Sequence, residues 1–247
     1  MPPTLSLVIP AYNEAARLPR YLVAIREHLD ARCGADYEVI VVDDGSTDGT
    51  ANVIAQAAID WPQLSLLAHE TNRGKGAAVR SGMLAAEGQR LVFADADGAT
   101  PIAEIDKLLA ALDDRGADRG ADVAVGSRLL DDDGVTRRRT FGRGLIGRLF
   151  ARLARAWLGI SVRDTQCGFK GFRREAGRRL FEQLEEAGFL FDLELLAAAE
   201  RSGCRIAEVP VNWSDVPGGH LHPLRQLLKI LAGLWRVRRR IAARGIA

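Results

Sequence analysis

Residues Arg90–Pro101 read RLVFADADGATP. An apolar run stops at two aspartates, Asp95 and Asp97, one residue apart, and a glycine and a proline follow. A short apolar run bounded by turn residues is the pattern of a strand covered on both faces. Proline suits the first turn of a helix. The stretch is therefore a strand, a turn and a helix, with two like charges on the strand's tip. Carboxylates this close repel, and burial worsens the repulsion. A divalent cation removes that penalty. Hard oxygens suit Mg2+ or Mn2+, and Mg2+ is commonly held by one or two carboxylates together with phosphate oxygens. Asp95 and Asp97 are the metal candidates, and Asp97 is also a catalytic candidate.

The same unit recurs along the first half of the chain. Leu5–Pro10, Tyr37–Asp44, Leu64–His69 and Asp122–Arg128 are short and mostly apolar, like Arg90–Asp97, and read as parallel strands. Between them, Asn13 to about Arg32 spaces Leu18, Leu22, Ile25 and Leu29 by threes and fours, as a helix does. Asp48–Ala58, with Ser46 or Asp48 as cap, Lys75–Glu87 and Pro101–Arg115 complete the helices. Alternation of this kind predicts an open α/β sheet, mostly parallel and flanked by helices. Ligands of such sheets bind beyond the carboxyl ends of the strands, where the strand order reverses. PAYNE (Pro10–Glu14), DDGSTDGT (Asp43–Thr50), DADG (Asp95–Gly98) and GSR (Gly126–Arg128) all fall at such ends. Any one of them is an ordinary turn or helix cap. Four at one rim make a site.

Composition and missing motifs narrow the classes. The chain has 247 residues, 47% hydrophobic, with a formal net charge of +2, which marks no nucleic-acid binder. Cys33, Cys167 and Cys204 show no paired spacing, which fits a reducing compartment. Neither a signal peptide nor a membrane-spanning helix is expected. GxGxxG after a strand, a P-loop, HExxH and GxSxG are all missing.

In order, VIPAYNE, VVDDGSTDGT, NRGKGAAVRSG, FADADGATP and GSR resemble the GT-A glycosyltransferases of family 2. DTQCGFKGF (Asp164–Phe172), FDLELL and EVPVNW narrow the resemblance to the dolichyl- and polyprenyl-phosphate glucosyl- and mannosyltransferase branch. The resemblance runs from Leu5 to about Trp213. It implies a nucleotide-sugar donor, a divalent metal and inversion at the anomeric carbon. By the same resemblance Pro10, Ala11, Tyr12 and Glu14 line the nucleoside, and Asp43 or Asp44 holds the base or ribose. Asp95, Ala96 and Asp97 meet the diphosphate and metal, with Lys75 and Arg128 beside them. Asp164 is the branch's proposed base or acceptor-orienting residue, and Arg163 and Lys170 are candidates to hold the acceptor phosphate. The expected reaction moves a hexose, from UDP-glucose before GDP-linked donors, to polyprenyl phosphate. The alternatives are a soluble family-2 transferase with a small-molecule or polysaccharide acceptor, and a nucleotide-sugar-binding protein without turnover.

Two basic stretches bear on location. Arg137–Arg155 and Pro223–Arg244 mix leucines with arginines and carry Trp235, the pattern of helices lying in an anionic membrane surface. The expected layout is a catalytic domain over residues 1–213 and a basic amphipathic extension over 214–247, attached peripherally to the cytoplasmic membrane face. His220 and His222 stand where the branch usually has a permanently charged phosphate clamp, so activity is expected to weaken as pH rises through the histidine range. Arg225 is the substitute candidate.

Overall fold

The computed structural model describes residues 1–113, 120–130, 137–138, 154–214 and 223–243, with backbone alone at 137–138 and 223–230. His220, His222 and most of the first basic stretch lie outside the described residues, as does the Arg225 side chain.

The strands are β1 (Leu5–Ala11), β2 (Tyr37–Asp43), β3 (Leu64–Ala68), β4 (Arg90–Ala94), β5 (Val123–Ser127), β6 (Arg137–Arg138), β7 (Phe169–Arg173), β8 (Ile206–Pro210) and β9 (Trp213–Ser214). The helices are α1 (Leu18–Cys33), α2 (Thr50–Ala58), α3 (Lys75–Ala85), α4 (Ile105–Asp113), α5 (Arg174–Gln183), α6 (Phe191–Arg201) and α7 (Pro223–Ala243). Seven strands form one sheet in the order β3-β2-β1-β4-β7-β5-β8, and β6 pairs with β9. Only β7 runs against its neighbours in the main sheet. The order steps outward from β1 to β2 and β3 on one side and to β4 on the other. The crevice between the tips of β1 and β4 is therefore the switch point.

Alternation along the strands divides the core. Leu7, Ile9, Val41 and Val92 face one way, toward α1 and α4. Val8, Val42, Leu91 and Phe93 face the other, toward α3, α5 and α6. Each such side chain, fully buried, contributes roughly 1.5–3 kcal/mol. On α7, Leu234, Val237 and Ile241 join this second layer. Arg240 ties the helix down through Glu185 (3.0 Å), Glu186 (3.3 Å) and the fully buried Glu194 (3.5 Å).

Several elements differ from the sequence reading. β4 ends at Ala94, so Asp95 and Asp97 stand on a turn beyond the strand. α1 starts at Leu18, because Asn13 takes a left-handed φ of 55° and its side chain accepts from the Thr47 N–H at 2.9 Å. β3 is an edge strand and is half exposed. β7 was not foreseen as a strand. Its Gly171 and two cations hide the signal, yet it separates β4 from β5.

Candidate functional site

Because β1, β2, β4, β5 and β8 run the same way, their carboxyl ends share one rim. The loop 164–168 enters β7 at that rim. Four predicted segments and two later ones thus converge.

The acidic corner follows β4. The Asp95 N–H donates to Gly168 O at 3.0 Å, and Gly168 has no side chain because a Cβ there would overlap the Asp95 carboxylate. Asp95 Oδ1 is enclosed, with Lys75 Nζ 2.6 Å away as an ion pair. Asp97 Oδ1 accepts the Ala99 N–H at 3.0 Å. Burial pushes the Asp97 carboxyl above its usual range, and the charge of Asp95 adds to the push. Ala96 is buried between the two. An enclosed carboxylate oxygen faced by one lysine, next to a second buried carboxylate, fits a hard divalent cation. Among the described residues no group of three acidic, histidine or cysteine side chains could enclose an ion, so two carboxylates would leave the remaining positions to ligand oxygens. Gly168→Ala is expected to push Asp95 aside and weaken Mn2+ affinity roughly tenfold or more, measured by calorimetry, with little change in melting temperature.

The loops after β1 and β2 knit together next to this corner. Pro10 and Ala11 are buried, and Ala11 O accepts from the Asp44 N–H at 2.9 Å. Tyr12 stays 47% exposed at the rim. The Glu14 N–H donates to Thr50 Oγ1 at 2.9 Å, and its carboxylate pairs with Arg17 at 2.5 Å. Burial raises Glu14, only partly offset by Arg17. The two neighbouring aspartates differ. Asp44 accepts from the N–H groups of Arg73 (2.9 Å) and Gly74 (2.8 Å) and lies 2.7 Å from His69 Nδ1, whose Nε2 meets Ser81 Oγ at 3.0 Å. It is committed to the loop that carries Lys75. Asp43 accepts from the Ser46 N–H at 3.2 Å, which leaves it the better candidate for a base or ribose contact.

The opposite wall follows β5. Arg128 reaches Asp164 as a fork: Nε to Oδ2 and Nη2 to Oδ1, both 2.8 Å, with the Arg128 N–H also 2.8 Å from Oδ2. Its guanidinium lies 5.5 Å from the Trp213 ring centre. Burial pushes Asp164 up, but the Arg128 fork more than reverses this, and the carboxyl sits below its usual range. The sequence reading did not single out Glu208, which accepts from the backbone N–H groups of Arg163 (3.0 Å) and Asp164 (2.9 Å) and so fixes the loop. It lies inside the EVPVNW motif, where an acid between apolar strand residues was the available signal. The Arg163 side chain is exposed.

Lys170 requires a correction. It is fully buried, and its ammonium is spent on Asp192 Oδ1 (2.6 Å), Cys167 O (2.5 Å) and Thr165 O (3.3 Å). Its three donors are used, so it cannot grip an acceptor phosphate. Its place on β7 points it into the core between Phe93 and the start of α6.

A mainly parallel sheet with an acidic corner at its switch point, faced by an arginine–aspartate fork, defines a GT-A glycosyltransferase. The chain belongs to the family described as Glycosyl transferase family 2, whose model matches residues 6–181. Among similar proteins, the dolichyl-phosphate beta-glucosyltransferase of Drosophila melanogaster is 40% identical over 252 residues, spanning 94% of this chain and 77% of its own. The Homo sapiens protein of the same name is 36% identical over 94% of this chain and 78% of its own. The fold matches mannosyl-3-phosphoglycerate synthase from Rubrobacter xylanophilus (21% identity, TM-score 0.70, covering 99% and 76%). It also matches Mycobacterium tuberculosis glucosyl-3-phosphoglycerate synthase bound to Mn2+, uridine diphosphate and glucosyl-3-phosphoglycerate (23% identity, TM-score 0.68, covering 97% and 80%).

Proposed function

We propose that the chain transfers glucose from UDP-glucose to dolichyl or another polyprenyl phosphate, with inversion. The observation that carries this is the pairing of an acidic corner with the Arg128–Asp164 fork across one rim. The names of the 36–40% identical relatives supply the substrate class. Asp95 and Asp97 would hold Mg2+ or Mn2+, which when bound offsets the charge gathering on the departing diphosphate. Pro10, Ala11, Tyr12 and Asp43 line the nucleoside, and Glu14 is held beside them by Arg17. Lys75 adds a cation at the diphosphate.

The acceptor is a phosphate monoester, largely ionised near neutral pH because its second pKa is about 6. Its oxygen needs placement among other anions more than it needs a base. Arg128 meets that need, since a planar guanidinium holds phosphate oxygens in fixed geometry. Asp164, made less basic by Arg128, then works by orienting the guanidinium. Exposed Arg163 lies nearby. Product mass from a panel of UDP- and GDP-sugars against dolichyl phosphate and a soluble phosphomonoester, with Mn2+, tests the reading. Glucosylated lipid from UDP-glucose is expected. Transfer only to the soluble acceptor, or no transfer, would overturn it.

Residues 214–247 would hold the enzyme on its lipid acceptor at the cytoplasmic face. No described helix is long and apolar enough to cross a membrane. On α7 the face turned from the core exposes Leu231 and Trp235, with Arg236, Arg238 and Arg239 around them. Arg238 lies over the exposed ring of Trp157 at 4.9 Å, and Arg239 over Trp235 at 4.7 Å. Each basic residue near anionic lipid contributes about 1 kcal/mol. The double charge reversal Arg238→Glu/Arg239→Glu should therefore weaken binding to phosphatidylserine vesicles at least tenfold in flotation, leaving UDP binding unchanged. Equal flotation would remove this role.

A further inference from the structure

The corrected position of Lys170 raises a question the proposed reaction does not use. A fully buried lysine is costly unless it is paired and its donors are satisfied. Here Asp192, in the first turn of α6, supplies the counter-charge, and a helix N-terminus favours an anion there. The ammonium's other two bonds go to Thr165 O and Cys167 O. Those carbonyls belong to the loop that starts at Asp164 and ends at Gly168. One end of that loop forms the fork with Arg128. The other end accepts the Asp95 N–H and cradles the Asp95 carboxylate. The opposite side of the same charge cluster is Lys75, which pairs with Asp95 at 2.6 Å.

We propose that Asp192 and Lys170 are positioning residues: a buried ion pair that pins the 164–168 loop by its carbonyls and thereby sets the acidic corner and the Arg128–Asp164 fork at a fixed separation. This rests on the glycosyl-transfer reading for its kinetic consequences, though not for the loop itself. The depth of the pair supports it as well, since Lys170 is fully buried and Asp192 nearly so. Burial raises the Asp192 carboxyl, and Lys170 and then Lys75 oppose that rise. Ion pairs join Asp95 to Lys75 and Asp192 to Lys170. A buried ammonium must satisfy its donors somewhere, and here the two left over go to the loop that joins both halves of the site.

Removing one partner leaves an uncompensated buried charge, so Asp192→Asn or Lys170→Met alone is expected to lower the melting temperature sharply. The informative variant is the neutral double, Lys170→Met/Asp192→Asn, which should stay folded. Three readouts are compared with wild type: melting temperature, hydrogen exchange at residues 164–168, and steady-state turnover with Mn2+, UDP-glucose and dolichyl phosphate. The expected result is a melting temperature within a few degrees, exchange at 164–168 at least tenfold faster, and kcat lower by about a hundredfold, the size of effect that loss of placement produces. Unchanged exchange in the folded double variant overturns the proposal, as does wild-type kcat. A double variant that does not fold is answered with Lys170→Arg. That variant keeps the charge but cannot satisfy both carbonyls in the same geometry. It should fold and show the same faster exchange, and wild-type exchange there also overturns the proposal. Inactive wild type with the expected exchange pattern would sink the glycosyl-transfer reading and leave the loop assignment standing.

Discussion

Asp97→Asn should remove turnover by about three orders of magnitude or more while making the metal-free protein no less stable, and even somewhat more so. The two halves of this result have one cause. Loss of a carboxylate that would hold the cation offsetting charge on the leaving diphosphate removes help worth several kcal/mol in the transition state. In metal-free protein, however, the same carboxylate is a liability. Burial and the neighbouring Asp95 hold its carboxyl above the usual range. A group whose folded pKa is raised in this way stabilises the fold while protonated and loses that contribution as pH rises through the raised value. At neutral pH in chelator the wild type therefore carries an unfavourable ionisation that asparagine lacks. The melting temperature of Asp97→Asn in chelator should equal or exceed that of wild type, and the difference should shrink in acid. Adding Mn2+ and UDP should raise the wild-type melting temperature, because binding stabilises only the folded state, and should move the variant far less. Two measurements check this: UDP release, and thermal unfolding with and without Mn2+. Wild-type turnover in Asp97→Asn would end the metal assignment. A large loss of stability in chelator would mean that the carboxylate is part of the scaffold and that the corner is not a strained ligand site.

The acidic corner could be found in the sequence because its signal is local. Two aspartates next to an apolar run need only their neighbours to look anomalous. Strand tips after β1, β2 and β5 were found the same way. The misreadings all involve partners distant along the chain. Lys170 looked like a phosphate ligand because an anionic acceptor needs cations and this one follows Asp164 by six residues. Its purpose is Asp192, 22 residues on and brought close only by the docking of α6 on the sheet. Arg128 and Asp164 were each singled out, yet their fork spans 36 residues and two strands, so no spacing announces it. Asp43 and Asp44 were left as alternatives because adjacent residues share a sequence environment but not a hydrogen-bond environment, and the loop around Gly74 claims Asp44. Strand β7 escaped because its central glycine and flanking cations contradict strand propensity, and tertiary pairing on both edges overrides that.

Asp164→Asn is expected to lower kcat by roughly a hundredfold to a thousandfold, as removing a residue that fixes transition-state geometry does, while the affinity for Mn2+ and UDP stays within about threefold. The donor side is spared because Asp164 touches Arg128 and the backbone of its own rim, and the acidic corner rests on Gly168 at the other end of the loop. The size of the loss alone does not separate a base from an orienting group, so coupling must decide. If Asp164 acts by holding Arg128, then Arg128→Lys, which abolishes the fork while keeping a charge, should cost about as much, and the double variant Asp164→Asn/Arg128→Lys should cost little more than either single change. Residues that act as one unit fail together. The pH dependence makes the same distinction. A base removed from the mechanism would leave turnover climbing with pH as the acceptor ionises unaided. An orienting residue would leave the shape of the profile unchanged and lower it uniformly, because the acceptor phosphate already carries its charge and Arg128 stays protonated throughout. Losses that simply multiply in the double variant, or recovery of Asp164→Asn in alkali, would assign proton transfer to Asp164 after all. Wild-type turnover in Asp164→Asn would remove it from the reaction and leave Arg128 to be explained by its stacking on Trp213 alone.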